Sequence, residues 1–173
     1  GETIHAHGGC ILKYGKYFYW YGEDRRENYY ISCYRSKDLI HWEFRNHILT
    51  MDSPMEQIRV KTQLVLQQED HKKVNLERPK VLYNSKTGKF VLWVHYENGK
   101  NYSEAACAIA TCEEPDGDYT YHGHFNPLGY MSRDCTLYQE PDGTAYFISA
   151  ARNNADMHIY RLQDDYMKYL AEI

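Results

Sequence analysis

Short apolar stretches separated by glycine-containing turns recur three times along this chain. The clearest copy runs from Met131 to Tyr146, where a short apolar stretch leads into the turn Pro141-Asp142-Gly143 and then into an aromatic stretch. Earlier copies run from Gly9 to Tyr21 and from Arg78 to Tyr96. Two alternating segments joined by a tight polar turn are typical of a β-hairpin. The pattern therefore predicts three hairpins.

Each predicted hairpin is followed by a third apolar segment about 20 residues beyond its turn glycine, as the repeat logic of propeller blades requires. These third strands are predicted at Tyr30 to Ser36, Ala106 to Cys112 and Met157 to Leu162. Three such units, spaced by roughly 55 to 75 residues, predict an all-β chain built as blades of a β-propeller around a central channel. The innermost strands would be Gly9 to Lys13, Lys80 to Tyr83 and Cys135 to Tyr138.

The predicted blades cover about residues 1–50, 77–126 and 127–173, and the segment 51–76 breaks the β rhythm. That segment fits neither the helical nor the strand period, so a strand pair with a polar loop and a short helix both remain open for it. We expect it to be an insertion between the first two blades.

Three blades are fewer than the four that a closed propeller usually needs. With 173 residues the chain is long enough to bury an ample core, so size does not explain the shortfall. We therefore expect the chain to be the N-terminal part of a longer protein. The alternative is a self-contained β domain with open sheet edges, and such edges invite self-association by pairing with another chain.

Composition narrows the classes of partner. Aromatic residues make up 15% of the sequence, with 18 tyrosines, and no apolar run approaches the roughly 20 residues of a membrane-spanning helix. The net charge of −4 provides no basic surface, which disfavours nucleic-acid binding because that requires clustered Lys and Arg. A carbohydrate partner suits this surface better. The sequence starts at Gly1 without the positive segment and apolar core of a signal peptide.

The cysteines and histidines give little support for a metal site. Five cysteines are an odd number and lack Cys-x-x-Cys spacing, so neither a disulfide framework nor a zinc site is expected, and buried free thiols are. His5 and His7 alternate as in a strand and could place two imidazoles on one face, yet no third ligand follows at a recognisable spacing. We interpret them as channel-lining histidines and predict no metal.

Polar groups stand at the starts of all three predicted inner strands, which in a propeller point toward the mouth of the channel. They are His7-Gly8, Arg78-Pro79 and Arg133-Asp134, with Glu77 alongside, and Glu23 ends the second strand of the first blade. Glycoside hydrolysis uses paired carboxylates, one to protonate the leaving oxygen and one to activate water. Glu23, Glu77 and Asp134 could supply part of such a set. Structural ion pairs between Arg and Glu at blade junctions would give the same pattern, and both interpretations stay open.

The tryptophans also allow two interpretations. Trp20, Trp42 and Trp93 could stack on sugar rings, although alternating aromatic strands more often form the core between blades. Neither a Gly-x-Ser-x-Gly motif nor a phosphate-binding glycine-rich loop occurs, so a serine nucleophile and a nucleotide site have no support.

Several short motifs spread over nearly the whole chain resemble glycoside hydrolase family 43. They are Ala6-His7-Gly8-Gly9, Tyr19-Trp20-Tyr21-Gly22-Glu23, Ser36-Lys37-Asp38-Leu39-Ile40-His41-Trp42, Glu77-Arg78-Pro79-Lys80-Val81, Ser132-Arg133-Asp134 and Asp142-Gly143. Within that family the chain is most similar to the exo-β-1,3-galactanase branch, whose members share the Ala-His-Gly-Gly start and the Glu-Arg-Pro-Lys segment.

The resemblance implies a five-bladed propeller that hydrolyses glycosidic bonds of galactan or of plant-type polysaccharide side chains with inversion. In typical members an Asp of the first blade is the general base, an Asp of the third modulates the pKa of the acid, and a Glu of the fourth is the general acid. Asp134 matches the modulator. His7-Gly8 occupies the place of the base, which leaves Glu77 as the candidate for positioning or activating water, and the acid is expected after Ile173.

Substrate contacts are expected from five residues, namely Glu23, His7, Arg78, Arg133 and Trp20. No cofactor is predicted, and a channel cation such as calcium has no motif to support it. The resemblance implies a secreted, periplasmic or cell-surface protein. The alternatives are a non-catalytic carbohydrate-binding or structural propeller derived from such an enzyme, and an all-β interaction domain without a sugar.

Overall fold

The computed structural model describes residues 1–58 and 61–172. Within them the chain forms three antiparallel sheets of four strands each and one 3₁₀ turn at Pro127–Gly129. The strands are His7–Tyr14 (β1), Tyr17–Glu23 (β2), Tyr29–Ser36 (β3), Glu43–Thr50 (β4), Asn75–Asn84 (β5), Lys89–Glu97 (β6), Ala106–Cys112 (β7), Thr120–Phe125 (β8), Cys135–Gln139 (β9), Ala145–Ala151 (β10), Asp156–Leu162 (β11) and Tyr169–Glu172 (β12). No helix of this described part is long and apolar enough to cross a membrane.

Strands follow one another in chain order across each sheet, and the first strand of each sheet lies innermost. β5 packs against both β1 and β9, although these three strands belong to three different sheets. Successive four-stranded meanders that meet at their first strands are the blades of a propeller. The predicted all-β propeller with about three blades is therefore confirmed, including its three innermost strands.

Both β1 and β5 are interrupted by a bulge near their start. The register of β1 with β2 shifts between His7 and Cys10, and the register of β5 with β6 shifts between Glu77 and Lys80. Pro79 has no backbone N–H to donate to the ladder, which accounts for the break in β5. Because a bulge bends a strand and redirects its side chains, residues at these two starts leave the regular inward and outward alternation.

Two apolar layers fill the space between the sheets, and Trp93 is the largest side chain of the second layer. It is fully buried, stacks on Phe147 with ring centroids 4.4 Å apart, and donates from Nε1 to the Tyr166 carbonyl at 2.8 Å. Trp93 is therefore core and cannot stack on a sugar. Tyr21 shows why tyrosine suits these layers, since its ring is buried while its hydroxyl donates to the Pro115 carbonyl at 2.8 Å.

The predicted insertion lies along the outer strand of the second sheet. Its described residues form isolated bridges instead of a helix: Met55 bridges to Tyr121, Gln63 bridges to His124, and Gln67 bridges to Lys73 across a polar loop within the segment. Strand β5 begins at Asn75, inside the range 51–76 predicted for the insertion. Two further positions of that range, 59 and 60, lie outside the described residues.

All five cysteines carry thiols that form no disulfide, as the sequence predicted. Cys33, Cys107 and Cys135 are buried as expected, whereas Cys10 and Cys112 are half-buried. Burial raises the pKa of Cys10 to about 11 and that of Cys135 to about 12. Both side chains are therefore protonated and weakly nucleophilic at neutral pH.

His124 should make the stability of the fold depend on pH. Its imidazole is 5% exposed and stacks on Tyr96 with ring centroids 3.7 Å apart. Burial lowers its pKa from 6.5 to about 4, so between these values the unfolded chain binds a proton that the folded chain does not. We expect this group to lower the free energy of unfolding by up to about 3 kcal/mol as the pH falls through that window.

Urea unfolding at neutral pH and near the lower end of that window measures the effect. The His124→Gln variant should lose most of the difference between the two conditions, whereas His71→Gln, at an exposed position, should retain it. An unchanged pH dependence in His124→Gln would contradict the assignment.

Candidate functional site

Glu77 and Asp134 meet at the side chain of His95. Glu77 lies in β5 opposite His95 of β6, and Asp134 immediately precedes β9. A carboxylate oxygen of Glu77 lies 3.7 Å from Nδ1 of His95, and one of Asp134 lies 3.9 Å from the same atom. The structure therefore brings together the two carboxylates that the sequence placed on different blades.

The two carboxylates differ in exposure and lie close together. The Glu77 side chain is 17% exposed, whereas that of Asp134 is 60% exposed. One oxygen of each, together with a ring nitrogen of His95, lie within 4.8 Å of one another. An acid and a base that flank a water in an inverting glycosidase are about 6.5–9.5 Å apart. Glu77 and Asp134 therefore do not have the spacing of such an acid and base pair.

His95 is itself held from the opposite side by Glu97. Both side chains are buried, and Nε2 of His95 lies 2.9 Å from Oε1 of Glu97. The Glu97 carboxylate also accepts the backbone N–H of Ala105, at 3.0 and 3.1 Å from its two oxygens. Because a carboxylate accepts from Nε2, that nitrogen carries a hydrogen and Nδ1 is the atom turned toward Glu77 and Asp134.

Arg78 supplies positive charge beside Asp134. Its Nε lies 3.3 Å from Oδ2 of Asp134, and its φ of 56° is unusual for a residue with a side chain. A Cβ at Gly8 would lie 2.9 Å from a guanidinium nitrogen of Arg78, so the glycine leaves room for this arginine. Lys80 donates from Nζ to the carbonyls of Gly8 at 3.0 Å and Arg78 at 3.2 Å, which joins the first two inner strands.

Tyr102 reaches Glu77 from the loop after β6. Its hydroxyl donates to Oε1 of Glu77 at 2.5 Å, and this bond raises the pKa of the tyrosine. Arg133 donates from its guanidinium to the Tyr102 carbonyl at 3.2 Å. Arg133 thus binds the backbone of the loop that carries Tyr102 and connects that loop to the third sheet.

A cavity of about 300 Å³ opens beside Glu77, between the first two sheets, and its lining includes Glu23, Arg25, Lys73 and Tyr102. Glu23 accepts from Nε of Arg25 at 3.0 Å, and burial lowers the pKa of Lys73. Charged and aromatic side chains around a cavity of this size suit a small ligand rich in hydroxyl groups. Glu23 and Glu77 therefore share one cavity.

Among the described residues, neither His7 nor Trp20 lines the cavity beside Glu77. His7 is exposed at the start of β1 and pairs in register with Glu23. Trp20 packs edge to face on Trp42, with ring centroids 5.2 Å apart, and lines a separate shallow cavity with Gly8. Trp20 is therefore separate from the described residues that line the cavity beside Glu77.

The cluster of Glu77, His95 and Asp134 offers three donor atoms that could hold a cation. Arg78 already places a positive charge against Asp134. A side chain of the protein therefore supplies positive charge beside this cluster. His5 lies in another cavity, with Arg26 and His47.

Sequence reasoning missed His95, Glu97 and Tyr102. His95 and Glu97 lie two residues apart in β6, whose other residues are mostly apolar or aromatic and buried. Two polar residues at strand spacing within an apolar strand are a usable signal, because such groups are buried only with partners. Tyr102 lies in the cluster from Asn98 to Ser103, whose polar composition is typical of an ordinary turn, and no local feature indicates its contact with Glu77.

Propeller blades whose inner strands bring carboxylates together beside a polar cavity are typical of one class of protein, the glycoside hydrolases with a propeller fold. The chain belongs to the glycosyl hydrolases family 43, whose family model matches residues 6–173. The family resemblance inferred from the motifs is thereby confirmed.

Solved structures support the same family. An exo-β-1,3-galactanase from Clostridium thermocellum is 44% identical, with a TM-score of 0.85 over 99% of this chain and 37% of that chain. An exo-β-1,3-galactanase from Phanerochaete chrysosporium, solved with galactose, is 37% identical, with a TM-score of 0.81 over 100% of this chain and 39% of that chain. The chain therefore spans somewhat more than a third of the length of these relatives. No curated protein matches it.

Proposed function

We propose that the protein to which this chain belongs is an inverting exo-β-1,3-galactanase that releases galactose from the ends of galactan chains. The observation that carries the proposal is the meeting of the Glu77 and Asp134 carboxylates at one ring nitrogen of His95, 3.7 and 3.9 Å away. Carboxylates gathered beside a polar cavity fit glycoside hydrolysis, in which carboxyl groups act directly on the bond and a nearby charge tunes the pKa of the acid. The similarity to galactanases over 99% of the chain supports the choice of sugar.

In this proposal each carboxylate has a separate role. Asp134 keeps the pKa of the general acid raised, because a nearby anion disfavours ionisation of a second carboxyl group. Glu77 orients the attacking water, with its second oxygen held by Tyr102. The spacing of Glu77 and Asp134 does not suit an acid and base pair. Because this chain covers 37% of the similar galactanase chain, the proposal places the general acid in the part of the protein outside it.

The substrate contact proposed for each residue follows from where its side chain lies. Glu23 lines the cavity beside Glu77 and Arg78 lies against Asp134, and both would bind sugar hydroxyls directly. Arg133 would act by holding the Tyr102 loop. Trp20 lines a separate cavity and would contact a part of the substrate outside the cavity beside Glu77. His7 is exposed opposite Glu23 and would contact the substrate from the start of β1.

Assays of the full-length protein test this function. We expect release of galactose from β-1,3-galactan, with less or no release of arabinose from arabinan and slow cleavage of aryl glycosides. NMR of the fresh product should show the anomer opposite to that of the substrate. Binding of galactan without hydrolysis would favour a carbohydrate-binding propeller, and retention of configuration would contradict the assigned roles.

The isolated 173-residue chain should hydrolyse the same substrates poorly. Proton donation to the leaving group contributes typically 10²- to 10⁴-fold to the rate, and the proposal places the donor in later sequence. A rate equal to that of the full-length protein would mean that the general acid lies within this chain.

We also propose that the protein acts outside the cytoplasm, as a secreted, periplasmic or cell-surface enzyme, because a polymeric substrate is met there. Fractionation of the producing cells, with galactanase activity measured in each fraction, tests this. Activity confined to the cytoplasmic fraction would contradict it.

A further inference from the structure

His95 occupies an unusual place between three carboxylates. The side chain of Glu97 lies on its Nε2 side, and those of Glu77 and Asp134 lie on its Nδ1 side. The imidazole is 2% exposed, and among the described residues Nδ1 makes no hydrogen bond. A buried polar atom without a partner is rare in native proteins and calls for an explanation.

The Glu97 side of the ring is a rigid support. Glu97 is fully buried and is fixed by the backbone N–H of Ala105 as well as by Nε2 of His95. A ring held in this way cannot turn about its axis without breaking the bond to Glu97. Nδ1 is therefore aimed at the gap between Glu77 and Asp134.

An unpartnered buried nitrogen does not by itself distinguish His95, since Nδ1 of His124 is also buried without a hydrogen bond among the described residues. His95 differs in that its Nδ1 faces two carboxylates, at 3.7 and 3.9 Å, just beyond hydrogen-bond distance. Glu77 comes from the second sheet and Asp134 from the edge of the third, so no shared strand fixes their separation. The His95 side chain approaches both.

We propose that His95, supported by Glu97, is a positioning residue that sets the relative placement of the Glu77 and Asp134 carboxylates. The inference rests on the proposed function, because His95 lies beside the two carboxylates that the proposal places at the reaction, and Glu97 holds His95. Buried partners that orient functional side chains typically change activity by 10- to 100-fold when they are replaced.

Kinetics of the full-length enzyme on β-1,3-galactan oligosaccharides test the role. His95→Gln should lower kcat by about 10- to 100-fold with KM largely unchanged, because the amide can reach Glu97 but not the gap between the two carboxylates. Glu97→Leu should produce the same loss. Glu97→Gln should recover most of the rate, since its amide oxygen still accepts from Nε2 of His95.

His124→Gln is the matched control. His124 is also a buried histidine of the second sheet, but it stacks on Tyr96 and lies on the outer strand. It should lose stability in urea without losing kcat. If His95→Gln and His124→Gln lose stability alike and both keep the wild-type kcat, His95 is structural and the proposal is overturned.

Crystal structures of the same full-length variants give a readout that does not need turnover. In His95→Gln the Glu77 and Asp134 carboxylates should rotate away from their wild-type positions, whereas in His124→Gln they should stay. If the wild-type protein hydrolyses no glycoside, the proposed function fails while this displacement still supports the positioning role. Unmoved carboxylates in His95→Gln would overturn the positioning role whatever the activity.

Discussion

Replacing Asp134 by asparagine in the full-length enzyme is expected to lower kcat by about 10²-fold or more, because it compromises the general acid. The Asp134 carboxylate lies at the axial start of the third blade, 3.3 Å from Arg78 and 3.9 Å from His95. A carboxylate at this place raises the pKa of a neighbouring carboxylic acid by like-charge repulsion. Asparagine keeps the shape and removes the charge.

The direction in which the pH profile of kcat shifts can be tested separately from the size of the loss in kcat. Without the Asp134 charge, the pKa of the acid falls, so the acid loses its proton at a lower pH and the loss of kcat is greatest on the alkaline side. The alkaline limb of the kcat profile should therefore move to lower pH in Asp134→Asn. Asp164→Asn is the control, since the Asp164 side chain is 87% exposed and forms an ion pair with the exposed Lys86, far from the general acid. A wild-type rate and an unmoved limb would remove Asp134 from the site.

Replacing Gly22 by alanine is expected to prevent the chain from folding stably. A Cβ at Gly22 would lie 2.1 Å from the carbonyl carbon of Ala6, and backbone cannot move aside as a side chain can. The crowding should cost more than about 4 kcal/mol, a large part of the roughly 5–15 kcal/mol that stabilises a typical domain. The same contact holds Ala6 over β2, where His7 and Glu23 pair.

Urea unfolding of the purified chain measures this cost. The control is Gly15→Ala in the turn between β1 and β2, where φ is 56° and no atom lies within 4 Å of the added carbon. That change should cost only about 1–2 kcal/mol, the penalty for a side chain in the left-handed region. Similar midpoints for Gly22→Ala and Gly15→Ala would show that the Ala6 backbone yields to the new methyl group.

Much of the fold could be predicted because turns and alternation are local signals. The hairpin from Met131 to Tyr146 is an example, since its Pro-Asp-Gly turn and its flanking strands lie within one short stretch. The outer strand β4 was not assigned individually. Its first three residues, Glu43, Phe44 and Arg45, are all exposed, and Phe44 is the one apolar residue among them. They therefore show no apolar alternation.

The candidate site was less predictable, for a physical reason. Glu77 and Asp134 could be selected from motifs, but their meeting at His95 depends on the bulge at Arg78 and Pro79 and on packing between blades. Tyr102 joins the site through a loop whose sequence looks like any polar turn. Contacts between distant segments leave no periodic trace in either partner, and the resemblance to a family had to supply what the pattern could not.

The segment between β4 and β5 has a consequence for how the protein behaves at high concentration. Its backbone hydrogen-bonds the outer edge of the second sheet, where Tyr121 pairs with Pro54 and Glu56, and His124 pairs with Gln63 in both directions. An edge strand whose N–H and C=O groups are already bonded offers no template for a strand from another molecule. The segment thus protects this blade from pairing with strands of other molecules, which leads to aggregates. Shortening the segment should therefore lower the solubility of the protein before it lowers its catalytic activity.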